Sequence, residues 1–123
     1  MAHILVIDDD MYMRKVIQQM LERKGHTVVV EEDGVKGVRR YQKESFDLVI
    51  TDIVMPEKEG LETIQELKQV APGVKIIAVS GGALKGPPKG YLALAKQFGA
   101  METIEKPFSW KQLIETVNHV LET

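Results

Sequence analysis

The chain has 123 residues and a mass of 13.8 kDa, the size of one domain that can bury its own core. Hydrophobic residues make up 44% and charged residues 28%, as in an ordinary globular protein, and the absence of cysteine excludes disulfides, thiolate nucleophiles and Cys-ligated zinc. A formal charge of −2 and a pI near 5.9 offer no electrostatic footprint for nucleic acid or an anionic membrane, so direct binding to either is not expected.

Along the chain, two kinds of segment alternate. Ile4-Leu5-Val6-Ile7 is a short, continuous apolar run, which predicts a strand buried on both faces. Residues 11 to 24 place Met13, Val16, Ile17, Met20 and Leu21 on one helical stripe, and Gly25 ends it. Thr27 to Val30 is β-branched and strand-like; Asp33 is positioned to cap a helix bearing Val35, Val38 and Tyr41. Leu48-Val49-Ile50-Thr51 repeats the strand signal, and Leu61, Ile64, Leu67 and Lys68 fit a helix that stops before Pro72. Val74 to Val79 predicts a fourth buried strand. The stretch Gly81 to Gly90, GGALKGPPKG, is too rich in glycine and proline to be expected as helix, whereas Tyr91 to Phe98 is helical and closes at Gly99. Met101 to Ile104 predicts a short last strand. Ser109, with Gln112 three residues on, starts a final helix whose stripe is Leu113, Ile114, Val117, Val120 and Leu121.

Five strands alternating with five helices imply an α/β domain: a doubly wound, five-stranded parallel sheet with helices on both faces, occupying residues 1–123 as a single unit. Ligands of such folds bind at the carboxyl ends of the strands. Polar residues collect at those ends: Asp8, Asp9 and Asp10 after the first strand, Asp52 after the third, Ser80 after the fourth and Lys106 after the fifth. One of the first three acids is accounted for as a helix cap. Capping leaves Asp52 unexplained. Two carboxylates about 5 Å apart repel by roughly 3 kcal/mol at an effective dielectric of 20, so acids converging on one edge call for a cation. Mg²⁺, a hard ion that takes oxygen ligands and retains waters, fits that set. With Lys106 and Ser80 beside it, the edge reads as a phosphoryl-handling site.

The segments ILVIDDD, DLVITDIVMPEKEG, IIAVSGG and IEKPF, in this order and spacing, resemble the response regulator receiver domain of two-component signalling, over essentially the whole chain. The resemblance implies a flavodoxin-like strand order 2-1-3-4-5. It implies that Asp52 is the phosphoacceptor and also a metal ligand, that Asp8 and Asp9 bind Mg²⁺ with Asp9 the more direct ligand of the pair, and that the backbone carbonyl of Val54 completes the protein's share of the metal shell. Ser80 would swing onto the phosphoryl group, Lys106 would pair with it, and the Lys106–Pro107 peptide bond would be cis. Asp10, which has no metal role in the family pattern, is left as the cap of the first helix.

The chain also departs from the family pattern. Where an aromatic commonly stands three residues before the lysine, this sequence has Thr103, which moves less surface when it repacks. Phe108 and Trp110 lie near it and are expected to be packed. The stretch from Ser80 to Gly99 is longer than usual, with the extra length in Gly81–Gly90, expected to be a neutral surface insertion. Neither Val54 nor Gly82, two positions that set phosphoryl lifetime in the family, carries a side chain able to hold an attacking water, so slow self-dephosphorylation is expected.

The function implied is a phosphorylation-controlled switch in a phosphorelay, not a turnover enzyme. A histidine kinase or histidine phosphotransfer protein would donate the phosphoryl group, docking near Met11 and Tyr12. Output would pass to a protein partner or to an effector domain absent from this chain. The domain would act as a monomer, or as a weak homodimer through the face of the fourth helix, fifth strand and fifth helix. No apolar run approaches the roughly 18 residues of a membrane span, and the start lacks the features of a signal peptide, so a cytoplasmic location is expected. Two other readings stand beside this one. A receiver-like module could bind its partner without phosphorylation. Alternatively, Asp8 and Asp10 would serve as the nucleophile and acid/base of a haloacid dehalogenase-type phosphatase, although Tyr12 departs from that motif.

Overall fold

The computed structural model describes residues 1–53, 60–80 and 88–123. In chain order the elements are β1 (His3–Ile7), α1 (Met11–Arg23), β2 (Thr27–Glu31), α2 (Gly34–Lys43), β3 (Leu48–Asp52), α3 (Gly60–Val70), β4 (Ile76–Ser80), α4 (Pro88–Phe98), β5 (Glu102–Glu105) and α5 (Trp110–Glu122). The strands form one parallel sheet in the order β2-β1-β3-β4-β5, as the family resemblance implied.

The apolar runs are continuous because the sheet is covered twice. Successive residues of a strand point to opposite faces. Ile4 and Val6 therefore join Ile17 and Leu21 of α1 and Leu113, Val117 and Val120 of α5 in one core. Leu5 and Ile7 join Val38 of α2, Ile64 and Leu67 of α3 and Ala95 of α4 in the other. Each fully buried aliphatic side chain of this kind stabilises by about 1.5–3 kcal/mol relative to exposure. The helix stripes do the reciprocal work. Where a stripe runs past the sheet its residues surface, as Val35 and Leu94 do. Among the described residues no helix is long and apolar enough to cross a membrane.

Helix ends follow their local chemistry. Asp10 Oδ1 accepts from the backbone N–H groups of Tyr12 (2.9 Å) and Met13 (3.3 Å), and Asp33 Oδ1 accepts from that of Lys36 (2.8 Å). Ser109 Oγ accepts from the Gln112 backbone N–H at 3.0 Å. Gly25 (φ +92°) and Gly99 (φ +128°) take up the left-handed turn after α1 and α4.

Several boundaries shift by a single residue, and two differ by more from the sequence reading. β4 begins at Ile76, because the Val74 N–H turns back to the Ala71 carbonyl at 2.9 Å; Val74 is apolar to fill the core, not to extend the strand. α4 begins at Pro88, so part of the Gly81–Gly90 stretch is helical after all. Proline's fixed φ and missing N–H suit the first position of a helix, where that N–H has no partner. The rest of that stretch, with Gly82, lies outside the described residues.

Candidate functional site

Parallel pairing brings the carboxyl ends of β1, β3, β4 and β5 to one edge, and the order reverses between β1 and β3. Residues that follow or end these strands meet there. Asp8 follows β1, Asp52 ends β3, Ser80 ends β4, and Lys106 follows β5. Asp8, Asp52 and Ser80 are buried, while Asp9 is exposed. Oxygens of Asp8, Asp9 and Asp52 lie within 4.8 Å of one another. Lys106 Nζ donates to Asp8 Oδ2 and Asp52 Oδ2, each at 3.3 Å.

Local bonds hold this edge together. The Asp8 backbone N–H donates to the Glu31 carbonyl at 3.2 Å, and its Oδ1 accepts from the Asp10 N–H at 2.9 Å. The Lys106 N–H donates to the Ser80 carbonyl at 3.1 Å, tying the exit of β5 to β4. The Lys106–Pro107 bond is cis. Behind Asp52, the first residue of α3 must be glycine: a Cβ on Gly60 would lie 2.3 Å from both the Asp52 carbonyl oxygen and the Ile53 Cα. The Gly60 N–H donates to the Ile53 carbonyl at 3.1 Å, so α3 starts directly against the strand end.

Electrostatics at this edge are strongly coupled. Burial pushes the Asp8 carboxyl up to about 6 and the Asp52 charge adds to the rise, while the Asp10 N–H and the Lys106 ammonium pull against it. For Lys106, desolvation disfavours the ammonium, but the Asp52 and Asp8 carboxylates outweigh it and raise its pKa. One ammonium therefore does not fully compensate the buried acids. That deficit, in an all-oxygen donor set, fits a hard divalent cation such as Mg²⁺.

Pattern matching on the chain covers residues 4–118 with the model of the response regulator receiver domain. The chain belongs to that family. This receiver is 37% identical to the chemotaxis protein CheY of Bacillus subtilis, over 98% of its own length and 99% of that protein's. It is equally 37% identical to the DNA-binding transcriptional regulator NtrC of Azospirillum brasilense, where it spans 98% of itself and only 24% of the regulator. Among solved structures, a receiver domain protein from Clostridium thermocellum superimposes with a TM-score of 0.90 at 30% identity, covering 99% of this chain and 95% of that one. The receiver is thus a CheY-like domain of two-component signalling, a signalling unit rather than a conventional enzyme.

Of the residues expected at the site, the structure brings together Asp8, Asp9, Asp52 and Lys106, and it sets Ser80 at the end of the neighbouring strand. Val54 lies outside the described residues. Thr103 sits half-buried on β5, in register with Ala78 of β4. Phe108 and Trp110 pack edge to face, with centroids 5.6 Å apart, against the core beneath α1 and α5. Met11 and Tyr12 are exposed at 62% and 72%, in the first turn of α1 next to the acids. One contact had no expectation attached. Arg14, one turn beyond the Asp10 cap, donates from Nη1 to the Asp8 carbonyl at 2.7 Å. In the sequence only its helix phase relative to Asp10 distinguishes it from neighbouring basic residues.

Proposed function

We propose that the receiver is a phosphorylation-controlled switch acting as one unit over residues 1–123, with Asp52 as its phosphoacceptor. The observation that carries this reading is the convergence of Asp8, Asp9 and Asp52 within 4.8 Å, with Lys106 at 3.3 Å from two of them. An Asp52 carboxylate oxygen bonds to phosphorus as the bond from phosphorus to one nitrogen of the donor imidazole breaks; the donor ring carries a proton on its other nitrogen, so it leaves as neutral histidine and Asp52 becomes an acyl phosphate. Asp8, Asp9 and Asp52 would hold Mg²⁺, with the carbonyl of Val54, which lies outside the described residues, expected from the family pattern. When bound, that ion would supply positive charge to the phosphoryl oxygens. Lys106 exchanges its contact with Asp52 for one with a phosphoryl oxygen, and the Ser80 hydroxyl donates to another.

The donor is a histidine kinase or a histidine phosphotransfer protein, seated over Met11 and Tyr12. The added charge, roughly −1.5 to −2, shifts a two-state element toward a form with altered affinity for a downstream partner. The output face is that of α4, β5 and α5, used by a monomer or a weak homodimer in the cytoplasm. Thr103 lies on it.

Incubation with acetyl phosphate and Mg²⁺, followed by intact-mass measurement, tests the reading. The wild type gains one phosphoryl mass and Asp52→Asn gains none. No gain in either would leave a phosphorylation-independent binding module. Turnover of a phosphate ester that survives Asp52→Asn but not Asp8→Asn would point to the phosphatase chemistry instead.

A further inference from the structure

The acids of the site are only as well placed as the backbone that carries them. Asp8 is the first residue beyond the β1 ladder, yet it is buried, so each of its polar groups needs a partner. Its N–H is taken by Glu31 O, Oδ1 by the Asp10 N–H and Oδ2 by Lys106, at 3.2, 2.9 and 3.3 Å. The shortest of its bonds is the fourth, 2.7 Å from Arg14 Nη1 to the Asp8 carbonyl oxygen. Arg14 is half-buried on α1, and its own backbone N–H closes the first helical turn onto the Asp10 carbonyl at 3.0 Å. The side chain thus ties α1 back to the strand end just as the chain leaves the sheet, at the residue whose carboxylate faces the cation site.

We infer that Arg14 is a positioning residue for the metal site: it fixes the peptide after Asp8, and through it the Asp8 and Asp9 carboxylates, in the geometry that binds Mg²⁺. The inference rests on the reading of these acids as metal ligands. The guanidinium acts by direction and reach, not as a counter-charge. It bonds a neutral carbonyl, and the charges that act on the Asp8 carboxyl are those of Asp52 and Lys106. Partners that orient a ligand without touching the metal commonly change affinity by about 10–100-fold when removed.

The test compares wild type, Arg14→Met, Arg14→Lys and Asp52→Asn by calorimetric titration with Mg²⁺ and by the Mg²⁺ dependence of acetyl phosphate labelling, with urea unfolding as a check on folding. Arg14→Met keeps the aliphatic stem and removes the donor. It is expected to weaken Mg²⁺ binding about tenfold and to raise the Mg²⁺ needed for half-maximal labelling in parallel, while labelling at saturating Mg²⁺ recovers. Arg14→Lys, which retains a donor on a shorter reach, falls between the two. A purely structural role would lower the urea midpoint and leave the Mg²⁺ dependence of the folded fraction unchanged; that result overturns the inference, as does wild-type affinity in Arg14→Met. If wild type binds no Mg²⁺ and Asp52→Asn labels normally, the metal-site reading falls as well. Normal wild-type binding with an unaffected Arg14→Met variant overturns the role of Arg14 alone.

Discussion

Asp8 illustrates how one buried carboxylate couples stability to pH. Its pKa rises from 3.8 to about 6 on folding, chiefly through burial. A raised carboxyl binds its proton more tightly in the folded state, so metal-free stability falls as pH rises between those values and is level above them. The loss from this group is of order 3 kcal/mol, at about 1.4 kcal/mol per unit. Thermal unfolding in chelator should therefore show a lower midpoint at pH 7.5 than at pH 5, and Asp8→Asn should flatten that dependence. A Mg²⁺ ion held by Asp8 would compete with the same proton. Its apparent affinity should weaken below about pH 6, up to tenfold per pH unit, in calorimetric titrations. At this scale the sequence was informative where residue type and strand end coincide, as for Asp8, Asp52 and Lys106. It was silent on Arg14, because a bond from a side chain to a carbonyl six residues back leaves no compositional trace.

The central strands β1, β3 and β4 were easy to read because burial on both faces requires nearly unbroken apolar runs, whereas the edge strand β5, Glu102–Glu105, has none. Boundaries were harder to place. Val74 has the composition of a strand but sits in a turn, and Pro88 looks like a breaker but starts α4. Both misplacements arise where one residue type serves two structural roles. At the start of α3, Gly60 leaves no room for a side chain. Gly60→Ala would press a methyl group into backbone that has no room to yield, 2.3 Å from Asp52 O. We expect a stability loss of about 1–3 kcal/mol in urea titrations, together with slower acetyl phosphate labelling. By contrast, Leu113→Ala hollows out the core under α5, a cluster that holds none of the site's acids. It should cost about 2–5 kcal/mol while leaving the Mg²⁺ affinity of the folded protein unchanged.

Across the molecule, the doubly covered sheet is a rigid platform with its chemistry on one edge, and what must move is small. Trp110, the single tryptophan, packs against Phe108 a few residues after Lys106. If Lys106 changes partner on phosphorylation, the Phe108–Trp110 pair lies on the segment that follows it. We therefore expect acetyl phosphate with Mg²⁺ to change the Trp110 emission of wild type, and not of Asp52→Asn. An unchanged spectrum in fully labelled protein would mean that the movement stops short of α5. The fold class was legible because alternation of apolar runs and stripes admits few topologies, whereas strand order and residue roles came from family resemblance. No local pattern states which strand lies beside which.

Lys106 meets Asp8 across 98 positions of the chain. During synthesis the two acids and their cation therefore leave the ribosome far apart in time. A nascent chain ending before β5 already carries Asp8, Asp9 and Asp52 but lacks the ammonium that pairs with Asp8 and Asp52. Only when the last strand docks on β4 does the ammonium arrive. The ion pairs that hold Asp8 and Asp52 are thus tied to the pairing of β5 with β4, the last strand to join the sheet.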